Sequence, residues 1–208
     1  MATWLVIAAE RRELDGILKR CGGAKSSFRD FLFACETEWR GDQWHLIANG
    51  PGPKSVERVL EHKFPVSGII SAGFCGALDP ALKVGDIISS FADIYSMDRV
   101  AVTREEKHRL REQTGAAAVE MEAAAVAKRA AEWGVPFHCV RAVSDTAEED
   151  MPLDFNRYRD ADGRFSRTRI ALAALARPST RVPALLRLDR NCRIAAESLG
   201  EFFANSRF

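Results

Sequence analysis

One stretch, Ala118 to Asp145 (AVEMEAAAVAKRAAEWGVPFHCVRAVSD), constrains this chain more than any other. Ala117–Val119 reads as a short buried strand. Ala123–Trp133 is rich in Ala, with Lys128 and Arg129 on one side, which predicts a helix. Gly134 stops that helix and Pro136 prevents its return. Phe137–Val143 is then an apolar, β-rich strand with Ser144 and Asp145 at its carboxyl end. In parallel α/β sheets ligands bind outside the carboxyl ends of strands. A βαβ unit of this kind brings Glu122 and Asp145 to one sheet edge, with Glu120 beside them. Singly, a Glu at a helix start complements the dipole and an Asp makes a good N-cap. Together across one unit they favour a site.

The rest of the chain alternates strands and helices. Thr3–Ala8 is a strand leading to a helix over Arg11–Arg20, ended by Cys21-Gly22-Gly23. Phe31–Trp39 and Trp44–Ala48 form a hairpin around Gly41-Asp42. A helix spans Pro53–Lys63 with proline at its start. Val66–Ala72 and Asp86–Phe91 are strands, and Thr103 with Glu106 forms a capping box for Arg104–Gln113. Beyond Pro152 the chain reads as helical, with a proline-bounded break from Arg177 to Pro183. The order predicts an α/β fold, a three-layer αβα sandwich around a mixed, mostly parallel sheet.

Composition narrows the function classes. With 208 residues and 47% hydrophobic content the chain suffices for one domain, 1–208, with a sizeable core. A net charge of +1 argues against a general nucleic-acid binder. Cys21, Cys35, Cys75, Cys139 and Cys192 form no CxxC pair and no metal spacing, so buried reduced thiols in a cytoplasmic protein are expected. No apolar run reaches membrane-spanning length, and the charge after Ala8 does not suit a signal peptide.

VEMEAAA followed by VRAVSD resembles the signature of the nucleoside phosphorylase and nucleosidase superfamily, nearest to 5′-methylthioadenosine/S-adenosylhomocysteine nucleosidases. SAGFCGALDPALKVGDIISS, IAAERREL and NGPGPKSVERVLE agree with that family's glycine turn, first strand with acidic loop, and Gly-x-Gly-Lys helix start. The likeness runs from the N-terminus to about Tyr158. It implies cleavage of the N-ribosidic bond of a purine nucleoside, where a carboxylate offsets charge on the ribose and an acidic group assists the departing base. By resemblance Glu122 holds the ribose hydroxyls. Asp145 gives a proton or hydrogen bond toward the purine N7, which asks for burial to keep it an acid. Glu13 activates water, with Glu10 the competing candidate. The substrate-binding set is Met121, Glu120, Gly73, Phe74, Gly76, Ser144 and Phe155, with Met121 beneath sugar and base and Phe155 over the 5′ end. No metal or cofactor is implied; inorganic phosphate enters as co-substrate if the reaction is phosphorolysis, with Arg11, Arg12, Lys54 and Arg141 as cations near the mouth.

Two departures stand out. Phe74 replaces the small hydroxyl residue of the family's glycine turn, and the segment between Ser90 and Val119 is much shorter than in relatives, removing a base-stacking aromatic. From Arg157 to Arg193 there are ten arginines, three aspartates and no lysine. Solvated faces and intersubunit ion pairs are the plainer account, an anionic or lipid surface the sharper one. This tail and the short loop resemble the hopanoid-associated branch, whose nucleosides carry a large apolar 5′ substituent. A homo-oligomer, dimer or larger, is expected. Against the enzyme stands a catalytically degenerate nucleoside-binding or scaffold protein of the same fold; retention of both Glu122 and Asp145 favours the enzyme.

Overall fold

Alternation along the first strand sets the layering of the molecule. In β1 (Thr3–Ala8) Trp4, Val6 and Ala8 face one core cluster, while Leu5 and Ile7 face another. Successive side chains of a strand point to opposite faces, so a strand apolar throughout is covered on both. The computed structural model describes residues 1–22, 25–26, 30–160 and 163–208; Gly23, expected to help end the first helix, lies outside them.

After β1 a short 3-10 turn at Arg11–Leu14 leads into α1 (Asp15–Leu18), a shorter helical stretch than the sequence suggests. There follow β2 (Lys25–Ser26), the expected hairpin of β3 (Phe33–Trp39) and β4 (Asp42–Ala48), then α2 (Pro53–Leu60). β5 (Gly68–Ala77) is the long central strand, and β6 (Ile87–Ile88) is a fragment of the strand expected to reach Phe91. β7 (Ile94–Ser96), α3 (Arg104–Thr114), β8 (Ala118–Glu120), α4 (Ala123–Trp133) and β9 (Phe137–Asp145) complete the region read first. Then come α5 (Arg167–Leu175) and α6 (Pro178–Asn205).

Among the described residues the strands form a nine-stranded mixed sheet in which β4, β1, β5 and β9 run parallel at the centre. α1 and α6 cover the face bearing Val6, Ile70 and Val140 with Ile17, Ala195, Leu199 and Phe203. On the other face α2 and α4 place Val56, Val59, Val126 and Ala130 against Leu5, Ile7 and Ile69. This is the three-layer arrangement expected from the sequence.

Three readings need correction. The strand before Glu122 is antiparallel to β5, so β8-α4-β9 is not a parallel crossover unit. Pro183 lies inside α6 rather than bounding a break, at the loss of one intrahelical hydrogen bond in a helix of 28 residues; the chain turns at Ala176–Arg177. Thr103 does cap α3, accepting from Glu106 N, but the Glu106 carboxylate reaches the amide of Val102 rather than that of Thr103.

Candidate active site

The site arises from a gap in the sheet. β1 pairs with β5 as far as Ser71, and β8 pairs with β5 from Gly76 onward. β9 fills the other side of β5 along that whole length, so β1 and β8 share one side and end facing each other beside Gly73, Phe74 and Cys75. The residues that follow each strand end turn into this gap. A cavity of about 600 Å³ opens there. Glu13, Phe74, Gly76, Glu120, Met121, Glu122, Ser144, Asp145 and Phe155 all line it. Gly73 lies behind Glu13: a Cβ on it would meet Glu13 Oε1 at 3.0 Å.

Glu120 is committed to the protein. Its Oε2 accepts from Arg141 Nη2 at 2.5 Å and Nε at 3.1 Å, and from the amides of Glu122 and Ala123 at 2.9 Å each; its Oε1 accepts from Ser96 Oγ. The carboxylate caps α4 and neutralises a fully buried arginine, so it shapes the cavity wall with little capacity left for a ligand. Burial alone raises the Glu120 pKa, but Arg141 and the hydrogen bonds outweigh it and the net shift is downward. Arg141 is therefore an interior partner, not a cation at the mouth. The other three basic residues weighed for phosphate are all exposed; Arg12 lines the cavity and pairs with Glu10 at 2.6 Å, whereas Arg11 and Lys54 do not line it.

Glu13 and Glu122 differ from Glu120, for among the described residues neither has a cationic side chain bonded to it. Glu13 accepts backbone N–H bonds from Ala9 (2.7 Å), Glu10 (2.9 Å) and Phe74 (3.0 Å). Burial raises its pKa against the lowering effect of those amides. Glu122 accepts from the Gly52 amide at 2.6 Å. Burial first, and then repulsion from Glu120, push it up to about 8. Two carboxyls with raised pKa thus face one buried volume, an arrangement suited to a ligand that develops positive charge.

Asp145 sits at the bulge where β9 shifts register against Cys75 and Gly76. A Cβ on Gly76 would meet Asp145 Oδ2 at 2.9 Å, so only glycine admits the carboxylate there. Ser144 Oγ donates to Asp145 Oδ1 at 2.8 Å and Lys107 Nζ donates to Oδ2 at 2.6 Å. Sequence reasoning missed Lys107, because α3 is charged along its length and one lysine in it reads as solvated. The available signal was spacing: Lys107 stands three residues before Leu110, the one leucine of α3, and so shares its inward face.

Away from the carboxyls the cavity becomes apolar. Met151, Phe155, Phe165, Ile170, Leu185 and Leu188 line this arm, and Phe155 meets Phe165 edge-on with centroids 6.0 Å apart. α5 supplies Ile170 and α6 supplies Leu185 and Leu188, while Met151, Phe155 and Phe165 come from the segment between β9 and α5. Among the described residues no His, Cys, Asp or Glu cluster is placed to hold a metal ion, all five cysteines are free and buried, and no helix is long and apolar enough to cross a membrane.

The comparisons with known proteins agree with this geometry. A sequence profile of the Phosphorylase superfamily matches residues 93–176. It is 31% identical over 109 residues to the 5′-methylthioadenosine/S-adenosylhomocysteine nucleosidase of Mycobacterium bovis, a stretch covering 51% of this chain and 40% of that protein. The chain thus spans less than half the length of that relative. Its fold is similar to a Helicobacter pylori 5′-methylthioadenosine/S-adenosylhomocysteine nucleosidase variant holding 5′-methylthioadenosine, with a TM-score of 0.73 at 16% identity over 98% of this chain and 97% of that one. It is also similar to the futalosine hydrolase of H. pylori, with a TM-score of 0.71 at 16% identity over 98% and 96% of the two chains. These likenesses show the fold shared with those two proteins across nearly the whole chain.

Proposed function

We propose that this protein is a cytoplasmic enzyme that cleaves the N-ribosidic bond of an adenine nucleoside bearing a substituent at its 5′ position. The observation that carries the reading is the pairing of Glu13 and Glu122, neither bonded to a cation, with an apolar arm leading from the same cavity. Glu122 takes the ribose hydroxyls and, when ionised, offsets the positive charge that grows on the sugar. Glu13 orients and deprotonates the attacking water. Asp145 faces the leaving base on its N7 and 6-amino edge: the hydroxide of the attacking water joins C1′, its proton goes to Glu13, the base takes up a proton at N7 from solvent, and that N7–H and the 6-amino group donate to the carboxylate. Met121 and Phe74 flank sugar and base, and Phe155 with the apolar arm receives the 5′ group. The mycobacterial relative and the H. pylori nucleosidase named above are consistent with that class of substrate.

Hydrolysis is the preferred form of the reaction: in this reading Glu13 serves as base, and Arg12 is already paired with Glu10. Phosphorolysis would ask for a free cation at that point. A catalytically silent binding protein is the second reading, favoured by the Phe74 amide that already occupies Glu13 Oε1. We take the protein as a homo-oligomer, dimer or larger, with exposed Leu172, Leu175 and Leu186 on α5 and α6 as a surface for assembly. The arginines around those leucines are the candidates for contact with an anionic membrane surface. Sedimentation, alone and with anionic vesicles, tests both. The central experiment is release of free adenine from adenosines with 5′ groups of increasing apolar size, with and without phosphate. Release that favours the larger groups supports the proposal; no base released from any of them overturns it.

A further inference from the structure

Lys107 has no exposed surface, and its three ammonium hydrogens meet three acceptors: Asp145 Oδ2 at 2.6 Å, the Thr146 carbonyl at 2.7 Å and the Glu149 carbonyl at 3.0 Å. A buried ammonium is costly unless paired and fully hydrogen-bonded. Here it is both, and the segment it binds is clamped to α3 at further points. Arg104 N donates to Asp150 Oδ1 at 2.9 Å, and His108 contacts Glu148 at 2.9 Å. The lysine comes from the shortened stretch between Ser90 and Val119, the part of the chain that has to supply base contacts in its own way.

The consequence falls on Asp145. With Lys107 donating to one oxygen and Ser144 to the other, the carboxylate offers its remaining lone pairs to the cavity as acceptors only. The ammonium also fixes how the carboxylate is turned, since Oδ2 faces Lys107 while Oδ1 faces Ser144. We propose that Lys107 is a positioning residue for the leaving base: by holding Asp145 as an acceptor it selects a purine presenting a 6-amino hydrogen over one presenting a 6-oxo oxygen. This rests on reading the cavity as a purine nucleoside site. A 6-amino group donates to Asp145, whereas a 6-oxo oxygen would face it lone pair to lone pair.

The test measures binding of free adenine and free hypoxanthine by calorimetry to the wild type, Lys107→Arg, Lys107→Met and Lys107→Gln, with thermal unfolding to establish that each variant is folded. The wild type and Lys107→Arg are expected to prefer adenine. Lys107→Met, or Lys107→Gln if the methionine variant does not fold, is expected to lower that preference by about tenfold or more. A merely structural lysine would change both affinities together and leave their ratio alone. A folded Met or Gln variant that keeps the wild-type ratio overturns the proposal, as does a wild type that binds neither base or shows no preference. Failure of the nucleosidase reading would look different: adenine bound with a Lys107-dependent preference, yet no base released from any nucleoside.

Discussion

The amide of Gly52 donates to Glu122 Oε1 at 2.6 Å, linking the turn before α2 to the start of α4 across seventy residues of sequence. Gly52 has φ +89°, and a Cβ there would meet Arg159 Nη2 at 2.9 Å. A side chain at this position is strained by the backbone conformation, whatever room Arg159 makes for it. The bond fixes where Glu122 points while leaving its other oxygen to the cavity. It joins two segments that the sequence presents as unrelated.

Glu122→Gln should keep the fold and lower base release by about 10²–10³-fold, the cost of removing one preorganised electrostatic contact to a transition state. In the wild type, kcat/KM should climb with pH to a plateau above about 8, where Glu122 becomes ionised, and this limb should vanish in the variant. Stability moves the other way. Glu122 goes from an ordinary value of 4.5 to about 8 on folding, so the native state binds the extra proton. Its contribution is complete below 4.5 and is lost as pH rises through about 8. Tm should fall across that window in the wild type and less steeply in Glu122→Gln. A Tm profile of unchanged slope in the variant would contradict the assignment.

Asp145→Asn leaves Lys107 without its counter-charge and should destabilise the protein by about 3–5 kcal/mol, as removing one partner of a buried pair does. Urea unfolding measures this. Adding Lys107→Met removes the stranded charge and should recover part of the loss. Base release should remain about 10²-fold down or more in both, because the amide presents a donor where the base edge needs an acceptor. A nucleoside whose base already leaves well should suffer less. Near wild-type turnover in the single variant would remove Asp145 from the mechanism.

Glu13 separates hydrolysis from phosphorolysis. Water needs a general base at neutral pH, whereas phosphate is already anionic and needs positioning. Glu13→Gln should lower turnover by about 10²–10⁴-fold, with a rate indifferent to phosphate before and after the change. A rate that scales with phosphate and survives the substitution assigns the reaction to phosphorolysis instead.

Ile170→Trp fills the apolar arm from α5. Nucleosides with long apolar 5′ groups should lose about tenfold or more in kcat/KM, and those with a small 5′ group should change little. Equal losses across the series would mean that the arm does not receive the 5′ substituent.

Much of the fold is legible in the amino-acid sequence, and the reason is local. β1, the β3–β4 hairpin and α4 can be placed to within a residue or so of their ends, except for the start of the hairpin's strands, because each is written in short-range chemistry. Apolar runs mark the strands, and Ala-rich sequence closed by Gly134 in the left-handed conformation marks α4. The acidic residues of the cavity are recognisable from their motif. Their convergence has a different cause from the one the sequence suggests: β8 runs antiparallel and meets the end of β1 across a gap in the sheet, and strand direction is decided by pairing partners far away in the chain.

Which charges are occupied is not written in the sequence. Glu120 and Glu122 stand two residues apart in one motif, yet Arg141 holds the first and only a backbone amide from Gly52 holds the second. Lys107 looks like any lysine of a charged helix until α3 packs it against the loop after β9, where it bonds the carbonyls of Thr146 and Glu149. The layers, most of the elements and the residue types of the cavity follow from hydrophobic periodicity and turn chemistry, so the chain carries them on its own. Which carboxyls are neutralised and which face the ligand is settled by tertiary packing, because burial and the distance to a counter-charge exist only once the chain has closed on itself.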